Sequence, residues 1–191
     1  MAKQNGNIAR FAFDFQQNFP LPHIPTSDIF YLHQIWVYVF GIHDCGANTS
    51  SMYCWPESIA HKGSNDVVSC LDHYFNSYDL TEVDTLYLFS DLCGGQNKNS
   101  TVIHYLYSLV KNGHFRRIQH IFPIRGHSFL PCDRDFGKTE SKRKVERIYT
   151  PQQWMEVIHS AKKTKPYTVV EVEQTMIHDF NHTYLRFSRR P

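Results

Sequence analysis

The sequence predicts an α/β domain, a mixed sheet of five strands flanked by helices, and three observations predict it. In the second half of the chain, apolar runs of strand length alternate with segments of helical period, the alternation that builds parallel strands. In the first half, two β-branched and aromatic runs flank a short Cys-Gly-Ala-Asn turn at 45–48, a hairpin signal and so an antiparallel pair. Third, in TLYLFSDLCGGQNKN (85–99) a buried-looking strand stops at Asp91 and a polar loop, the strand end where open α/β sheets build their sites.

At 191 residues the chain suits one domain spanning 1–191, with 150–191 a C-terminal helix and an extended tail that reads as truncated at FSRRP. With 41% hydrophobic and only 20% charged residues it is not a disordered chain. No apolar run reaches membrane-spanning length and no signal peptide follows Met1, so the expectation is an intracellular, soluble protein without a membrane partner. Five cysteines, an odd number without any CxxC spacing, point to reduced, structural thiols.

The first strand is Ile8 to Phe15, carrying Asp14 among apolar residues. Residues 16–28, with Pro20, Pro22 and Pro25, read as loop, because proline cannot donate to a ladder. The long run Ile29 to Ile42 supplies a central strand and Ser51 to Trp55 its hairpin partner. Ser64 can cap a helix to about Asn76, with Val67, Val68, Leu71, Tyr74 and Phe75 on its inner stripe. After the Thr85 strand, Gly94 and Gly95 turn the backbone and Ser100 caps a helix that stops at Gly113. Arg117 to Ile124 is the last of the five strands, with Pro123 near a sheet edge or at the strand's end. The charged run GKTESKRKVER (137–147) reads as a solvated loop or helix face. Thr150, Pro151 and Gln153 open a further helix with a capping box, and Tyr167 to Glu173 is an extra strand or an extended docking segment.

That order, with a hairpin start and parallel strands later, is the element order of the ribonuclease H-like fold. There the first-strand Asp, the fourth-strand Asp and an acidic group near the last helix converge on two metal ions. Asp14 and Asp91 occupy the first two places, and Asp133 or Asp135 in GHSFLPCDRDFG supplies the third. Three carboxylates form a hard oxygen site suited to Mg²⁺ or Mn²⁺. A pair of such ions about 3.5 to 4 Å apart activates a nucleophile and stabilises the leaving oxygen of a phosphoryl displacement.

Charge fits a nucleic-acid substrate. Residues 1–97 carry three Lys/Arg against ten Asp/Glu, and 98–191 carry seventeen against eight, net charges of −7 and +9. The alternative is an uneven but solvated surface. Arg125, Arg134, Lys138, Lys142, Arg143 and Lys144 are candidates for phosphate attraction. Gln96, Asn97, Lys98 and Asn99 are candidate phosphate or base donors, or else ordinary turn and cap residues. His127 admits three roles: a satisfied strand-end histidine, a proton shuttle or phosphate contact, or a metal ligand. Glu57 and Asp44 are weaker acidic candidates, the one a solvated glutamate and the other a turn residue. A zinc site from His43, Cys45 and Cys93 lacks paired ligand spacing, and a cysteine hydrolase on Cys93 or Cys132 with His127 lacks an oxyanion motif.

FDFQQNFPLP, FYLHQIWVYVFGIHDC, SDLCGGQNKN and RGHSFLPCDRDFG together resemble a large family of transposon-derived proteins of animal genomes, over about Arg10 to Trp154. Its members resemble ribonuclease H-fold integrases and transposases of the acidic-triad type. The resemblance implies Asp14, Asp91 and one of Asp133 or Asp135 as the triad with His127 beside it, DNA as the partner, a nuclear location, and a catalytic core that domesticated copies often lose. A homo-oligomer is left open.

Overall fold

The computed structural model describes residues 7–24, 34–124 and 130–180. The described residues form one mixed sheet of seven strands: the five predicted, the further strand that the sequence offered within Tyr167 to Glu173, and one where it reads as loop. Strand β1 (Ile8–Phe15) lies between β3 (Ile35–Asp44), antiparallel to it, and β5 (Thr85–Phe89), parallel to it. Beyond β3 comes β4 (Thr49–Pro56), its hairpin partner; beyond β5 comes β6 (Arg117–Ile121), parallel. The two additional strands are short. Strand β2 (Phe19–Leu21) pairs with the start of β3 although it contains Pro20, which a three-residue edge strand tolerates. Strand β7 (Thr168–Glu171) adds in parallel outside β4.

Helices cover both faces. Helix α1 (Ser64–Ser77) and α2 (Ser100–Lys111) close a core built on Phe11, Phe13, Phe40, Trp55 and Leu88. Helix α3 (Pro131–Arg143) and α4 (Pro151–His159) close a second one around Val39, Met52, Phe136 and Trp154. The caps differ from expectation by one residue. Asn99, not Ser100, caps α2 through its Oδ1 and Val102 N–H, and α1 starts at Ser64 with Gly63 as the cap, whose N–H bonds Asp66. Thr150 does cap α4, with Gln153 answering from the first turn.

Helix α3 lies against the sheet because β3 has a glycine beneath it. A Cβ at Gly41 would stand 2.7 Å from a Phe136 ring carbon. The charged run at 137–147 is mostly the outer face of this helix, which sequence left between loop and helix. Among the described residues no helix is long and apolar enough to cross a membrane.

Candidate functional site

Parallel pairing fixes two of the acids. Ala12 stands opposite Phe89, so Asp14 and Asp91 each follow two residues beyond that pair, at the same carboxyl edge of neighbouring strands. Asp133 comes to them from the first turn of α3. Each carboxylate is held through one oxygen. Asp14 Oδ1 accepts from Phe15 N–H at 2.7 Å, Asp91 Oδ1 from Asn97 Nδ2 at 2.6 Å and Cys93 N–H at 3.1 Å, and Asp133 Oδ2 from Leu130 N–H at 2.7 Å.

The three acids repel one another. Burial, then Asp91 and Asp133, push the Asp14 carboxyl from 3.8 up to about 7, against the pull of Phe15 N–H and Lys62. Burial and Asp91 also raise Asp133, although Leu130 N–H opposes them. Repulsion of this kind is what a divalent cation relieves. Among the described residues, however, no three His, Cys, Asp or Glu groups already stand at metal-coordinating separation.

Asp135 does not face this cluster. It is 1% exposed, and Oδ2 accepts from Ser50 Oγ at 2.6 Å and His43 Nδ1 at 2.7 Å, while Tyr167 donates to Oδ1 at 3.1 Å. Burial would raise its carboxyl, but these donors outweigh it and hold the group below the ordinary value. Of the two candidates for the third carboxylate, only Asp133 shares the edge with Asp14 and Asp91. His43 is buried and binds Asp135 through Nδ1, and all five cysteines are free thiols.

The loop after Asp91 folds inward. Cys93 O accepts the N–H groups of Gln96, Asn97 and Lys98, and neither Gly94 nor Gly95 is left-handed. Asn97, expected as a nucleic-acid contact, is fully buried and orients Asp91 instead. Gln96 is half-buried and Lys98 is exposed, its Nζ 5.5 Å from the Phe122 ring. Arg134 and Lys144 are exposed and Lys138 partly so; Lys142 is bound to Ser160 and Arg143 to Glu140. Asp44 holds the β3–β4 turn through Gly46 and Ala47 N–H, and Glu57 is a half-buried residue after β4. Arg125 and His127 lie outside the described residues.

Two neighbours escape sequence reasoning. Lys62 donates to Gln16 O at 2.8 Å and Asn18 Oδ1 at 2.9 Å, over the Phe15 ring, and attracts Asp14. It is one of only three cations in the first 97 residues, but only the folded chain brings it there. Ser90 Oγ is 2.8 Å from His120 Nε2 and donates to Asp91 O, tying β6 to the backbone of the site; burial lowers the His120 imidazole to about 4.

The family model described as Domain of unknown function (DUF7869) matches residues 28–186. The chain belongs to that family. The DUF7869 match contains Asp91 and Asp133, and Asp14 precedes it. No curated protein and no solved structure matches the chain significantly.

Proposed function

We propose that this chain is a ribonuclease H-like core for phosphoryl transfer on DNA, working in the nucleus with Mg²⁺ or Mn²⁺. The observation that carries the reading is the convergence of Asp14, Asp91 and Asp133 from a first strand, a parallel neighbour and a helix start, each anchored by one oxygen. The β6-β5-β1-β3-β4 path, parallel on one side of β1 and antiparallel on the other, supports the fold assignment. The donor set fits the cations: hard carboxylate oxygens, mutually repelling, with a second oxygen on each acid outside the bonds described. Asp14, Asp91 and Asp133 would hold the metal, which when bound supplies a Lewis acid for phosphoryl oxygens and a more acidic water.

The chain's own groups do the positioning. Phe15, Leu130 and Cys93 amides and the Asn97 side chain fix the carboxylates, and Lys62 offsets part of their charge. A second reading, a domesticated and catalytically silent module that binds nucleic acid or protein, is favoured by the absence of a ready-made three-ligand cluster among the described residues.

Calorimetric titration of Mn²⁺ into the wild type and Asp91→Asn, with cleavage assays on labelled single- and double-stranded DNA, separates the two. Binding lost in the variant, with cleavage by the wild type, is the expected result. No binding at millimolar metal moves the assignment to the silent module.

A further inference from the structure

Four cations from two segments, Lys162 and three within electrostatic reach of it, meet beside α3. Arg134 and Lys138 are one turn apart on the helix and so lie side by side. Lys162 and Lys165 come from the segment between α4 and β7. Two neighbouring residues of the β3–β4 turn draw the segments together: Lys165 Nζ donates to Ala47 O at 3.1 Å and Arg134 Nη2 to Asn48 Oδ1 at 3.4 Å. Lys162 Nζ stands 5.5 Å from the centre of the Tyr167 ring, whose hydroxyl bonds Asp135. Burial and the charges of Lys138, Arg134 and Lys165 lower the Lys162 ammonium, with the buried Asp135 opposing them.

We infer that Arg134, Lys138, Lys162 and Lys165 form a docking surface for the phosphate backbone of duplex nucleic acid, separate from the carboxylates and independent of metal. The choice of nucleic acid over other polyanions rests on the phosphoryl-transfer reading. The geometry favours it further: Arg134 follows Asp133 directly, so the basic surface and the acidic edge share the first turn of α3. A backbone carrying one charge per strand about every 3.4 Å reaches from one to the other within a few nucleotides. The surface also sorts the cations of α3 that sequence grouped together. Arg143, ion-paired with Glu140, and Lys142, which is not among the cations that act on Lys162, fall outside it.

The test is the anisotropy of a labelled DNA duplex in EDTA, read over a salt series, for the wild type, Lys162→Gln/Lys165→Gln, Lys142→Gln and Asp91→Asn. The double variant should bind on the order of tenfold more weakly at about 0.1 M salt, its log–log salt slope smaller by about 2. Lys142→Gln should bind as the wild type does, Asp91→Asn should bind no more weakly than it, and unchanged thermal melting of the double variant excludes misfolding. An unchanged slope in the double variant, or an equal loss in Lys142→Gln, overturns the inference. So does wild-type binding to phosphatidylserine vesicles, through Lys162 and Lys165, without duplex binding. Because Asp91→Asn is read without metal, duplex binding can survive failure of the metal reading, and metal-dependent cleavage can survive failure of this one.

Discussion

Asp133 and Asp135, two residues apart in the first turns of α3, serve opposite sides of the helix. Asp133 bonds the Leu130 amide and feels Asp91, whereas Asp135 is enclosed by His43, Ser50 and Tyr167. Substitution should separate the two roles. Asp135→Ala takes the shared carboxylate from His43, Ser50 and Tyr167, leaving the first two their bond to each other and the third its bond to Asp135 O, and should cost about 2 kcal/mol or more in urea unfolding. Asp133→Asn keeps an acceptor for Leu130 and should cost under about 1 kcal/mol, yet lose Mn²⁺ binding by calorimetry. A stable Asp135→Ala chain would mean that the knot does not hold the helix.

Asp14 makes stability fall with pH when metal is absent. Below about pH 4 the group is protonated both folded and unfolded. Between there and about 7 the folded chain keeps a proton that the unfolded chain has lost, so stability declines, and above 7 this contribution is level. In EDTA, wild-type Tm should therefore drop from pH 4.5 to 7.5, and Asp14→Asn, a mimic of the protonated acid, should be the more stable chain at the upper end. Mn²⁺ at pH 7.5 should raise Tm in the wild type and not in Asp14→Asn. Equal pH slopes in the two proteins would show that Asp14 does not carry this strain.

Asn97 is where site and surface readings give opposite results. Its amide holds Asp91 Oδ1 at 2.6 Å from a fully buried position. Asn97→Ala should weaken Mn²⁺ binding roughly 10-fold or more, as loss of a ligand's supporting hydrogen bond does, and leave duplex binding in EDTA unchanged. A loss of duplex binding with metal affinity intact would return Asn97 to the role of a nucleic-acid contact.

What the sequence made legible was local. Asp14 and Asp91 stand out because each interrupts an apolar run, and parallel pairing then aligns them without further information. The choice between Asp133 and Asp135 was not legible, because it depends on partners 92, 85 and 32 residues from Asp135. Strand β2 carries too few residues for a period-2 pattern and exists because β3 offers an edge, whereas β7 lies within the segment that sequence left between strand and docking segment. Lys62 has no local signal at all; its proximity to Asp14 is purely tertiary.

Gly41 connects the fold to the site most directly. It pairs with Asp14 across β1 and β3, and its missing side chain is what admits the Phe136 ring of α3. Gly41→Ala would place a methyl 2.7 Å from one ring carbon and 2.9 Å from the next, with Met52 Sδ at 3.3 Å. In a filled core such an insertion costs about 1 to 3 kcal/mol. Relief by lifting α3 would carry Asp133 away from Asp14, so Mn²⁺ affinity should fall together with stability. Phe136→Leu removes the ring edge, and in that background the Gly41→Ala cost in urea unfolding should shrink by more than about 0.5 kcal/mol, the sign of a direct contact. Strict additivity of the two substitutions would show that the helix does not rest on Gly41.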